Sequence, residues 1–85
     1  MAKYKITIKK SAAKELQEIP KRNLQKIVKR IQSLPENPRP TGSQKLSAQE
    51  QYRIRQGDYR IVYSIDDKEL VIDIVKIGHR REVYR

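Results

Sequence analysis

The stretch Tyr52-Arg53-Ile54-Arg55-Gln56-Gly57-Asp58-Tyr59-Arg60-Ile61-Val62-Tyr63 decides the fold. Two runs in which apolar residues alternate with polar or charged ones flank Gly57-Asp58. Period-two alternation rich in β-branched and aromatic residues predicts strands with one buried face. A two-residue connection with glycine first predicts a type II′ hairpin. A third run over 70–77 follows a turn at 66–69, so the C-terminal half reads as a three-stranded antiparallel meander. Pairing across the hairpin sets Ile54 opposite Ile61 and Arg55 opposite Arg60. One face then carries Tyr52, Ile54, Ile61, Tyr63, Ile65, Leu70, Ile72 and Ile74, the candidate core. The other carries Arg53, Arg55 and Arg60 with Val62, Ser64, Val71, Asp73 and Val75.

Upstream, Tyr4, Ile6 and Ile8 alternate with Lys5, Thr7 and Lys9, which predicts an N-terminal strand. Ser11 is a candidate helix cap. Ala12, Leu16 and Ile19 recur at helical spacing until Pro20, which ends that helix. Leu24, Ile27, Val28, Ile31 and Leu34 form a second amphipathic stripe, with Lys21, Arg22, Lys26, Lys29 and Arg30 largely off it. Residues 11–34 therefore read as a helical hairpin with a basic outer surface. Pro35, Pro38, Pro40 and Gly42 mark 35–45 as a loop. The expected architecture is α+β: an N-terminal strand, a helical hairpin, the meander and a short tail, in a single domain over 1–85.

Composition bounds the function. Twenty Lys and Arg against ten Asp and Glu give a formal charge of +10, so the surplus either serves an anionic partner or merely keeps the chain soluble. Cysteine is absent, which excludes disulfides, thiolate metal sites and a cysteine nucleophile. One histidine and scattered acids form no metal cluster, and no glycine-rich loop cradles a phosphate. No cofactor or metal is expected. No apolar run has the ~20 residues of a membrane span, and residues 1–10 carry charges throughout with no signal-peptide core. No membrane partner and a cytoplasmic location are therefore expected.

The face bearing Arg53, Arg55 and Arg60 is either a solvated sheet surface or an anion site. Like charges across a strand pair destabilise it, and three valines make the face a partly apolar groove, so the anion site is the stronger reading. Asp73, in line with Val62 and Arg53, is a candidate counter-charge. In the tail, His79 is either a general acid–base group or a surface or capping residue. Tyr84 either stacks on a base, donates a hydrogen bond or closes the core. An RNA-cutting site needs neither metal nor protein nucleophile, because the 2′-hydroxyl can attack the adjacent phosphate. The protein must hold the strand, stabilise the growing charge and move protons.

Tyr52-Arg53-Ile54-Arg55, then 58–63 (Asp-Tyr-Arg-Ile-Val-Tyr), then Gly78-His79-Arg80-Arg81-Glu82-Val83-Tyr84, together resemble the RelE branch of the RelE/ParE toxin superfamily. The element order and chain length fit as well. The resemblance implies a toxin of a type II toxin–antitoxin pair: a metal-independent, ribosome-dependent endoribonuclease that cuts messenger RNA in the A site and is blocked by a RelB-like antitoxin. It implies that Arg53 and Arg55 stand where relatives carry lysines. It also implies that Arg60 and Arg80 bind phosphate and that Tyr84 stacks on or orients the base. Arg81 and Arg85 join the RNA-binding set. Arginine does not give up its proton, so the two replacements shift the base role toward His79, Tyr84 or solvent. The rivals are a ParE-type poison of DNA gyrase, on the same fold, and a non-catalytic ribosome- or RNA-binding module.

Overall fold

The hairpin forms as its sequence predicts. β3 (Gln51–Gln56) and β4 (Tyr59–Asp66) pair antiparallel, with Ile54 opposite Ile61, Arg55 opposite Arg60 and Gln56 opposite Tyr59. Gly57 takes φ +62 and Asp58 stays out of the left-handed region. That is the pattern of a II′ turn, which needs positive φ only at its first central residue. The structure, a computed structural model, describes residues 3–46 and 50–79.

The other elements are β1 (Lys5–Ile8), α1 (Lys10–Gln17), α2 (Lys21–Ser33), β2 (Gln44–Lys45) and β5 (Val71–His79). The sheet has five strands in the order β1-β5-β4-β3-β2. The meander β3-β4-β5 is its centre, as expected, but the sheet is mixed, because β1 joins the far side of β5 in parallel. The loop expected over 35–45 ends in two strand residues: Gln44 and Lys45 pair with Arg53 and Tyr52.

The helices cover one sheet face. Ile27, Ile31 and Leu34 from the second stripe and Ala12 from the first are buried against Tyr52, Ile54, Ile61, Tyr63, Ile65, Ile72, Ile74 and Ile77. Leu16 and Ile19 close the margin. Ser11 is not the cap. Lys9 holds that position in extended backbone with no side-chain cap bond, because its N–H is still bonded to the Ile74 carbonyl at the end of β1 (3.0 Å). The helix starts as soon as that ladder ends. Pro20 caps α2 instead, its carbonyl accepting from Leu24 N–H at 2.8 Å.

Two corrections concern the third run. Leu70 is not in the core row. Asp66 Oδ1 accepts from Lys68 and Glu69 N–H (3.0 and 2.9 Å), and the turn so formed closes with Leu70 at φ 57, half-buried. The second correction is a β-bulge. Tyr63 pairs with Ile74 but Val62 pairs with Lys76, so Val75 is the extra residue. Two β5 residues against one shift the alternation by one position. Ile77 thereby turns inward, fully buried opposite Ile61.

β1 spans only Val71–Ile74 of β5, which leaves the rest of that edge to α1. Glu15 Oε1 accepts the Ile77 N–H and Oε2 accepts from Lys76 Nζ, both at 3.0 Å. A partly buried N–H deprived of a charged acceptor costs about 1–3 kcal/mol. Glu15→Ala should lower unfolding stability by about that range and Glu15→Gln by less, since an amide oxygen still accepts the bond. Urea denaturation of both variants measures the difference.

Candidate nucleic-acid interface

The arginines lie together on the face away from the helices. Arg55 faces Arg60 directly across the ladder, and Arg53 faces Val62. The burial is not that of a solvated face. Arg60 is 5% exposed and Val62 8%, Arg53 is half-buried and Arg55 is exposed. A buried guanidinium beside two more accessible ones is a fixed cation, held at the centre of the face by the most central strand.

Asp73 is not their counter-charge. Asp66 pairs with Val71, so the β4–β5 turn keeps residues 67–70 out of the ladder and Asp73 falls opposite Ser64 rather than Val62. There Thr7 Oγ1 donates to it at 2.9 Å and Lys9 Nζ pairs with it at 3.1 Å. It therefore serves β1.

His79 also departs from the sequence-based grouping. It pairs with Tyr59, whose neighbours in alternation, Ile61 and Tyr63, face the helices. Gly78, not His79, is the residue opposite Arg60. The imidazole meets the Tyr59 ring edge-on, with centroids 5.7 Å apart. Both line a cleft of about 170 Å³ with Glu15, Glu18 and Ile19 of the helical layer. Arg53, Arg55 and Arg60 are thus brought together and His79 is placed across the sheet from them. Arg80, Arg81, Tyr84 and Arg85 lie outside the described residues.

A second cationic surface flanks the sheet. Lys26, Lys29, Arg30 and Ser33, one face of α2, line a cleft of about 390 Å³ with Gln56. Among the described residues, no helix is long and apolar enough to cross a membrane.

The sequence reading missed Arg39. Its Nε donates to Tyr52 Oη at 2.9 Å, and its Nη2 donates to Glu50 Oε2 at 3.1 Å and Asp67 Oδ2 at 2.8 Å. The guanidinium lies 5.1 Å from the Tyr52 ring centre. Tyr52 Oη donates to Glu50 Oε2 at 2.7 Å, and Tyr4 Oη donates to Asp67 Oδ1 at 2.5 Å. One side chain thus ties the loop before β2 to β3 and to the β4–β5 turn. Arg39 sits between Pro38 and Pro40, where no periodicity marks it.

The Asp67 carboxyl is held below the usual range by the Arg39 and Tyr4 bonds, and that of Glu50 by Tyr52 and Arg39. Both titrate lower folded than unfolded. Their contribution is therefore whole above the ordinary carboxylate range and is lost as the pH falls through their folded values. Stability of the native chain should decline between about pH 5 and pH 2, and Arg39→Ala should flatten that decline. Thermal melts of both proteins across this range check it.

Residues 6–84 match the family of ParE toxins of type II toxin–antitoxin systems. The chain belongs to the RelE/ParE toxin superfamily. Its relatives place it on the RelE branch. It is 33% identical to the toxin RelE of Mycobacterium tuberculosis, over 96% of this chain and 87% of that one. The RelE chain of the RelE–RelB complex from Pyrococcus horikoshii superposes with a TM-score of 0.80 at 31% identity, over 92% of this chain and 96% of that one. The isolated Escherichia coli RelE toxin gives a TM-score of 0.81 at 25% identity, over 95% and 90%. The RelE-like architecture expected from the sequence is thus the one observed.

Proposed function

We propose that this RelE-branch protein is one toxin domain that cuts messenger RNA in the ribosomal A site and so stops translation, and that a RelB-like antitoxin holds it in check in the cytoplasm. The observation that carries the reading is the arginine cluster, with Arg60 buried on β4 and facing Arg55 across the ladder. Permanently charged guanidiniums form bidentate bonds to phosphate. Fixed in place, they stabilise the charge that grows on the phosphate as the 2′-hydroxyl attacks, with little reorganisation.

Arg53, Arg55 and Arg60 cannot accept the hydroxyl proton. His79 lies across the sheet from them, so the proton transfers fall to Tyr84 or to water. Arg80, Arg81 and Arg85 extend the phosphate grip along the tail. The basic cleft of α2 suits ribosomal RNA backbone, which would make binding steeply salt-dependent. For the antitoxin, exposed Ile8 and Leu46 and the arginine face suit a partner with apolar anchors and acidic residues.

The family match also favours a second reading, a ParE-type gyrase poison without RNA cleavage. Expression of the toxin in cells, followed by parallel assays for cut messenger RNA and for gyrase-dependent DNA breaks, separates the two. Cut RNA with intact DNA is the expected result. DNA breaks without cut RNA would transfer the assignment to gyrase. Translational arrest with neither kind of break would leave a non-catalytic ribosome binder.

A further inference from the structure

We infer that Gly78 is a positioning residue for Arg60, held to glycine so that the Arg60 stem can lie flat against the sheet. The inference rests on the RNA-cutting reading of the arginine face. Gly78 lies inside β5 and pairs with Arg60. Its chain neighbours Ile77 and His79 face the helices, so a side chain at 78 would project from the arginine face, beside that of Arg60.

The backbone does not call for glycine here. Among the described glycines, positive φ occurs at Gly42 and Gly57, whereas Gly78 continues the strand. The β5 bulge falls earlier, at Val75. Glycine weakens a strand interior, and where neither bulge nor bend accounts for it, it marks a close approach. Burial points the same way. Gly78 is buried and Arg60 is 5% exposed, on the sheet face away from the helices.

The row across the sheet runs Arg55, Arg60, Gly78. On the β3 side the Arg60 stem meets a second arginine, and like charges directly across strands repel. On the β5 side the next residue along this face is Lys76, opposite Val62. Room beside Arg60 is left where Gly78 has no Cβ. Directly opposite Cβ atoms stand about 4.5–5.5 Å apart, so a side chain at 78 would take the space a flattened stem needs. Arg60 has an interaction partner of its own, and Gly78 governs where the stem runs rather than what the guanidinium meets.

Gly78→Ala adds one methyl group beside the stem, and Gly78→Val adds a branched side chain. Misplacing a catalytic group by about 1 Å costs about 10²-fold in rate. At saturating ribosomes, Gly78→Ala should slow single-turnover cleavage of A-site messenger RNA about 10-fold and Gly78→Val about 100-fold. The ribosome concentration giving half the maximal rate should stay the same, because the basic cleft of α2 is untouched. Melting temperatures should not fall, since alanine and valine both order a strand better than glycine. In an Arg60→Met background neither substitution should slow cleavage further, because residues that act through one group are not additive.

The assay compares native protein, the two Gly78 variants, Arg60→Met and both double variants, with a melting temperature taken on each. Native rates in folded Gly78→Val overturn the positioning role and leave Arg60 in the site. An equal further loss in the Arg60→Met background overturns it as well, since the effect would then bypass Arg60. Failure of Gly78→Ala to fold overturns it too, by making the glycine a requirement of the fold. No cleavage by native protein overturns the RNA-cutting reading itself, and the role of Gly78 with it.

Discussion

Arg60→Met is expected to lower messenger RNA cleavage by at least about 100-fold while the protein stays folded. The size follows from the loss of one preorganised donor to a developing oxyanion, which costs about 10²–10³ in rate. Methionine retains much of the apolar stem that Arg60 buries at 5% exposure, and a melting temperature measured on the variant checks that it is folded. Alanine is the poorer test, since it would open a cavity beside Val62. Arg60→Lys keeps the charge but loses the bidentate fork, and an intermediate rate is expected. Arg55, exposed on the same face, offers a control: Arg55→Ala should reduce cleavage with no measurable change in melting temperature.

Ile61→Ala should be the most damaging core substitution. Ile61 lies in the middle of β4, fully buried, with Ile54 on one side and Ile77 on the other, each also fully buried. Buried isoleucine truncated to alanine costs about 2–5 kcal/mol. A domain of this length has about 4–13 kcal/mol in total. The variant should lose a large share of its stability and unfold at a markedly lower urea midpoint, with the slope of the transition unchanged. Ile61→Val, which removes one methyl group, should cost about 0.5–1.5 kcal/mol. A near-native midpoint for Ile61→Ala would mean that the triple Ile54–Ile61–Ile77 is not the centre of the core.

Much of this was legible in the sequence because alternation and helical spacing are local signals. The hairpin at Gly57-Asp58, the inward rows of β3 and β4 and the facing of Arg55 and Arg60 all follow from residues that are neighbours in the chain. What alternation could not report is the bulge at Val75. Counted strictly from Ile72 and Ile74, Lys76 would turn inward and His79 would fall with the arginines. The extra residue reverses both, buries Ile77 and takes His79 to the helix side. Nor could alternation report the length of the β4–β5 turn, where the ladder resumes with Asp66 opposite Val71 and so sets Asp73 opposite Ser64 rather than Val62. The parallel pairing of β1 with β5, between residues more than sixty positions apart, has no local signature. Nor has Arg39, whose partners come from two distant segments, Glu50 and Tyr52 at the start of β3 and Asp67 in the β4–β5 turn. The family resemblance supplied the placement of Arg80 and Tyr84, which lie beyond the described residues.

The role proposed for the arginine face is RNA cleavage on the ribosome. The most direct measurement is a reconstituted translation reaction programmed with one defined messenger RNA, in which new 5′ ends are mapped after adding native protein or Arg60→Met, with and without ribosomes. Cuts at A-site codons are expected only when ribosomes are present, and are expected to be lost in Arg60→Met. Cuts of equal strength by Arg60→Met, or no cuts by native protein in either arm, would contradict it.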